Sequence, residues 1–86
     1  LLVNDTLKFK NMATKRNSKT LEQQARYYEV DDISEYMVET YLNGNISTYR
    51  QLFQELRGES RREFVRRLFE MGLTPTDIEK MILTIL

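Results

Sequence analysis

Arg57, Arg61, Arg62, Arg66 and Arg67 crowd into residues 57–67, and guanidinium groups at that density point to one chemistry above others, the neutralisation of phosphate. On a helix, Arg62 and Arg66 stack one turn apart, the spacing of a track along a nucleic-acid backbone. Lys8, Lys10, Lys15, Arg16 and Lys19 add a basic stretch near the N-terminus. The candidate nucleic-acid surface is therefore Lys8, Lys10, Lys15, Arg16 and Lys19 with Arg57, Arg61, Arg62 and Arg66. A plainer reading competes with it. Glu59 stands three residues from Arg62, and Glu63 three and four residues from Arg66 and Arg67, so ordinary intrahelical pairs of about 0.2–0.5 kcal/mol each account for most of the cluster as a solvated face.

Other chemistry is largely excluded by what the chain lacks. It has no cysteine and no histidine, which removes thiolate and imidazole metal ligands, thiol nucleophiles, disulfides and the commonest general base. Asp31, Asp32 and Glu35 are the paired carboxylates, and they read as the acidic start of a helix, where side-chain oxygens accept from free backbone N–H groups. They do not form a calcium-loop pattern. The expectation is a chain with no self-contained enzyme site, no metal, no cofactor and no small-molecule substrate.

These side chains need elements to hold them, and an 86-residue chain has room for one modest core. Residues 1–19 have scattered apolar positions and no sustained period, and are expected as a basic extended arm. Residues 20–86 are expected as a single all-α domain, a small bundle of four to five short helices. Ser18 or Thr20 is placed to cap a helix through Val30 bearing Leu21, Ala25 and Tyr28, although Tyr27 to Val30 would also suit a strand. Behind the acidic start, Ile33, Tyr36, Met37 and Tyr41 follow at helical spacing up to a stop at Gly44. Ser47 or Thr48 is expected to cap the next helix, with Tyr49, Leu52, Phe53 and Leu56 as its stripe and Gly58 as its end. A further helix over about 59–71 carries Phe64, Val65, Leu68 and Phe69 on one side and closes at Gly72. Thr74 then caps a last helix with Pro75 at its first position, where a missing N–H costs nothing. A partial internal likeness, Glu35-Tyr36-Met37 with Gly44 against Glu63-Phe64-Val65 with Gly72, suggests two αα-hairpins.

Two stretches resemble segments of known families. Leu68-Phe69-Glu70-Met71-Gly72-Leu73 resembles the Met-Gly loop of ubiquitin-associated domains, but no room follows for that fold's third helix. Tyr41-Leu42 with Ser47, Thr48, Tyr49 and Leu56, and later Met71 to Pro75, looks loosely like the helical core-binding domain of tyrosine recombinases, but the two segments stand too close together. No functional residue is carried over from either. The span from Phe64 to Ile85 also reads as helix-turn-helix, with Gly72 in the turn, yet Asp77 and Glu79 would meet phosphate with like charge.

The last helix is apolar around more of its circumference than one buried stripe requires, which makes Ile78, Met81, Leu83 and Leu86 the candidate protein interface. The five tyrosines, Tyr27, Tyr28, Tyr36, Tyr41 and Tyr49, suit half-wet contacts of the same kind. Formal net charge is zero, but it is sorted into basic, acidic and basic blocks, with Glu29, Asp31, Asp32, Glu35 and Glu39 in the middle one. Such blocks pair either within the fold or between subunits. The leading expectation is a non-enzymatic helical interaction or assembly component that binds a protein partner or a second copy, of the kind phages and mobile elements encode. The alternative is a small DNA- or RNA-binding regulator. No apolar run is long enough for a membrane span and no cleavable leader pattern opens the chain, so the cytoplasm or a virion is the expected location. The start at Leu1 without an initiator Met marks a processed product or a piece of something longer.

Overall fold

The computed structural model describes residues 18–86, which form an all-α bundle of five helices with no strand among them. The arm expected over 1–19 therefore lies outside the described residues except for Ser18 and Lys19. Helix α1 spans Leu21–Tyr28 and begins with a reciprocal cap: Thr20 Oγ1 accepts from the Gln23 N–H at 3.1 Å, and Gln23 Oε1 accepts from the Thr20 N–H at 2.9 Å. It stops two residues short of the expected Val30. Glu29 turns left-handed at φ 58°, and the Val30 N–H returns to the Ala25 carbonyl at 3.0 Å, a Schellman-type closure made without glycine.

Helix α2, Ile33–Leu42, is capped as its acidic start implies, with Asp32 Oδ1 accepting from the N–H groups of Ser34 and Glu35 at 2.9 and 3.2 Å. It buries Ile33, Met37 and Val38, then ends at Asn43 and a left-handed Gly44. Helix α3, Ile46–Gln54, starts from Asn45, so Ser47 and Thr48 lie in its exposed first turn instead of capping it. Helix α4 runs Gly58–Leu68, and α5 runs Pro75–Ile85 behind the Thr74 cap, whose Oγ1 accepts from the Asp77 N–H at 3.1 Å. Gly44 and Gly72 repeat each other as the left-handed residues that follow α2 and α4, in keeping with the internal likeness.

The α3–α4 boundary departs from expectation for a nonlocal reason. Gly58 does not stop α3; it opens α4. The interruption comes earlier, at Glu55 to Arg57, because Lys19 pairs there as an isolated parallel bridge: its N–H donates to the Glu55 carbonyl at 3.0 Å and its carbonyl accepts from the Arg57 N–H at 2.8 Å. Backbone groups that would have continued a helix are satisfied by a residue far away in sequence.

One core joins the five helices: Leu21, Ile33, Met37, Val38, Tyr49, Leu52, Leu56, Phe64, Leu68, Ile78 and Met81. α2 packs along α3 as an antiparallel hairpin, α1 and α4 lie against α2, and α5 leans chiefly on α3. Two hydrogen bonds from α3 fasten α5: the buried Tyr49 hydroxyl donates to the Met81 carbonyl at 2.9 Å, and Arg50 Nε donates to the Thr84 carbonyl at 3.0 Å. Of the tyrosines, Tyr49 is buried, Tyr28, Tyr36 and Tyr41 are half-buried and Tyr27 is exposed. Tyr28 stacks on Tyr36 at 6.3 Å, Tyr41 meets Tyr49 edge-on at 5.2 Å, and Phe64 receives both Tyr49 and Phe53. No helix of the described residues is long and apolar enough to cross a membrane.

Candidate functional site

Between the end of α4 and α5 lies an apolar groove of ≈ 280 Å³ lined by Phe69, Pro75, Ile78, Glu79, Ile82 and Leu83. Among the described residues, Glu79 is its one charged wall. Phe69 stands at the C-cap of α4 and is 65 % exposed. Leu83 is 61 % exposed, and Leu86, one turn further on, is 91 % exposed. Of the four expected interface residues, Leu83 and Leu86 face water as anticipated. Ile78 and Met81 do not: Met81 is wholly enclosed by the core and Ile78 is buried at the groove floor. One helical stripe cannot both fill the core and face outward, so the excess apolar surface falls on the opposite side of α5. Phe69, which also lines this groove, is not among the candidate residues the sequence offers. Its place four residues after Val65 and next to Leu68 suggests the core, but α4 ends at Leu68 and Phe69 is left exposed.

The cations divide sharply. Lys8, Lys10, Lys15 and Arg16 lie outside the described residues. Lys19 is not a solvated contact for phosphate: it is buried, with Nζ 3.5 Å from Glu55 Oε1 and 3.7 Å above the Tyr27 ring. Glu55 is itself buried and also accepts from the Tyr28 hydroxyl at 2.7 Å and Gln51 Nε2 at 3.1 Å. Burial, with the Glu55 hydrogen bond second, pushes the Tyr28 hydroxyl well above the usual tyrosine range. Arg61 is likewise engaged within the fold. Its Nε donates to the Leu56 carbonyl at 2.9 Å and its Nη2 to the Gln54 carbonyl at 2.7 Å, satisfying carbonyls that the broken α3–α4 junction frees.

Arg66 Nη2 meets Glu63 Oε1 at 2.8 Å, and Arg67 reaches both Glu63 Oε2 at 3.4 Å and Asp32 Oδ1 at 4.0 Å, joining α4 to the start of α2. Hydrogen bonds from these two arginines hold the Glu63 carboxyl below its usual range. Arg57 and Arg62 are exposed and form no ion pair among the described residues. Of the candidate arginines on α4, Arg61 is held on backbone carbonyls and Arg66 on Glu63, which leaves Arg62 exposed without an ion pair among the described residues.

A second groove, of ≈ 470 Å³, runs along the outer side of α2. Its floor is Val38, Leu42, Met71 and Leu73, and its rim is Glu35, Glu39 and Glu70. Leu42 is 56 % exposed. The three glutamates are exposed and have no ion-pair partner among the described residues. The sequence shows Glu35 and Glu39 as part of an acidic block. It does not show that the turn after α4 brings Glu70, Met71 and Leu73 beside them.

Comparison of the chain with protein families, with curated proteins and with solved structures returned no match.

Proposed function

We propose that the chain is a helical assembly module whose copies join through the α5 edge, each seating apolar side chains of the other around the groove beside Phe69. The observation that carries this reading is the grouping of Phe69 and Leu83, both more than half exposed, on an apolar groove with Leu86 one turn away. Scattered exposed leucines are ordinary on a soluble domain, but large side chains collected around a concavity mark a contact surface. The patch is also self-complementary. It offers projecting side chains and a depression to receive them, as a twofold interface requires. A formal net charge of zero imposes no long-range repulsion between copies.

The test is light scattering on the full chain over about 5–500 μM, a range that brackets micromolar association, with and without Phe69→Ser and Leu83→Ser. Twice the monomer mass, returning to the monomer mass in the double variant, supports the assembly reading. A monomer throughout the range overturns it. The same samples mixed with duplex and single-stranded DNA at about 50 and 200 mM salt test the alternative, because phosphate contacts fade steeply over that interval. A salt-sensitive complex lost on Arg57→Ala and Arg62→Ala would establish nucleic-acid binding by the exposed arginines.

A further inference from the structure

The acidic-rimmed groove on α2 lies apart from the α5 edge and has a different chemistry. Its floor is apolar and its rim carries Glu35, Glu39 and Glu70, so a ligand must present apolar side chains flanked by cations. We propose that this groove receives residues 7–16 of the same chain. That segment reads Leu7-Lys8-Phe9-Lys10, then Met12, then Lys15-Arg16, and contains no carboxylate. If bound in extended form, such a segment would set Leu7 and Phe9 on the side of the floor, while Lys8 and Lys10 would reach the rim on their flexible stems. Three carboxylates around an apolar floor concentrate negative potential on the groove, which raises the local concentration of such a segment.

Length and attachment favour the segment's own bundle over a neighbouring one. The segment leads through Lys19 into α1, and α1 packs against α2. Phe9 stands ten residues before Lys19, so it can reach up to about 33–36 Å from that anchor. The 10 residues of α2 span only about 15 Å. A tethered segment with that reach meets the groove at a millimolar effective concentration, well above any ordinary concentration of a second molecule. The exposed arginines of α4 are poorer occupants, because the apolar side chains between Arg62 and Arg66, Phe64 and Val65, are packed into the bundle's own core and cannot cover Leu42 and Met71.

Limited trypsin digestion of the full chain tests this, since Lys8, Lys10, Lys15 and Arg16 are themselves cleavage points. Cleavage after Lys8 and Lys10 is followed by mass spectrometry and compared with that of a free peptide of residues 1–17. Docking should slow cleavage in the full chain at least about tenfold, because cleavage follows the population of the open form. The triple variant Glu35→Gln, Glu39→Gln and Glu70→Gln, which adds no tryptic site, should restore the peptide rate. So should Leu7→Ser with Phe9→Ser, which changes the segment and leaves every described residue untouched. Cleavage as fast in the unaltered chain as in the peptide overturns the proposal, as does slow cleavage that neither variant accelerates. Protection that grows with protein concentration also overturns it, by placing the segment on a second copy. All of these outcomes are independent of whether α5 self-associates.

Discussion

At the α3–α4 junction the bundle buries a lysine and a glutamate, whereas along α5 it leaves Phe69, Leu83 and Leu86 in water. Each region reverses the usual partition of polar and apolar groups, and for different reasons. Burying Lys19 and Glu55 is tolerable because the Glu55 carboxylate is shared by Lys19, the Tyr28 hydroxyl and Gln51, while the Lys19 backbone fills the gap between two helices. No comparable set of contacts covers the α5 edge among the described residues. At these two places residue type alone misleads, charge suggesting exposure for Lys19 and Glu55 and hydrophobicity suggesting burial for Phe69 and Leu83, until the chain's nonlocal contacts are known.

The sharpest way to break the comparison is Glu55→Ala, which removes one side of a buried pair and should lower unfolding stability by about 3–5 kcal/mol in urea titrations followed by circular dichroism. A loss below about 1 kcal/mol, the ordinary value for an exposed pair, would place the junction in solvent after all. Arg61→Ala should follow at about 1.5–3 kcal/mol, through two lost hydrogen bonds from a charged donor to the Gln54 and Leu56 carbonyls. Alkaline unfolding sharpens the contrast further. The Tyr28 and Tyr49 hydroxyls are both raised above the ordinary tyrosine value of 10.0, chiefly by burial, so the folded state favours their neutral form. Their contribution to stability is intact below about pH 10 and is lost as pH rises beyond it. Tyr28→Phe should reduce the steepness of that loss in thermal scans between about pH 9 and 11.5. The smallest stability effect belongs to the α5 edge. Phe69→Ser with Leu83→Ser should change monomer stability by no more than about 0.5 kcal/mol per site, while abolishing the association proposed for that face.

Much of the fold was legible because its signals are local. The Thr74-Pro75 start of α5, the Asp32 cap of α2 and the glycines after α2 and α4 all act within a few residues, and all stand where the sequence places them. The buried stripes Ile33–Met37 and Phe64–Leu68 follow from helical spacing in the same way. What sequence could not show was the work of contacts between distant residues. Lys19 looks like one more solvated cation until Glu55 is brought beside it, and Gly58 looks like a stop until the Lys19 bridge interrupts α3 first. Half of the expected α5 surface, Ile78 and Met81, proved to be core for a related reason: periodicity shows that a helix has two apolar sides, but the side that packs inward depends on α5 resting against α3.

The clasp between Lys19 and Glu55 also bears on the order of events in folding. Its partners stand 36 residues apart, whereas the α2–α3 hairpin brings together residues much nearer in the chain. Closing a loop of that length costs about 3 kcal/mol of chain entropy before any contact repays it, so the hairpin should form first and the clasp should close behind the rate-limiting barrier. A contact made that late governs how fast the protein comes apart and has little influence on how fast it assembles. In stopped-flow experiments, Glu55 variants should steepen the escape from the native state while leaving the refolding rate almost unchanged, which makes this one buried pair the timer of the folded molecule's lifetime.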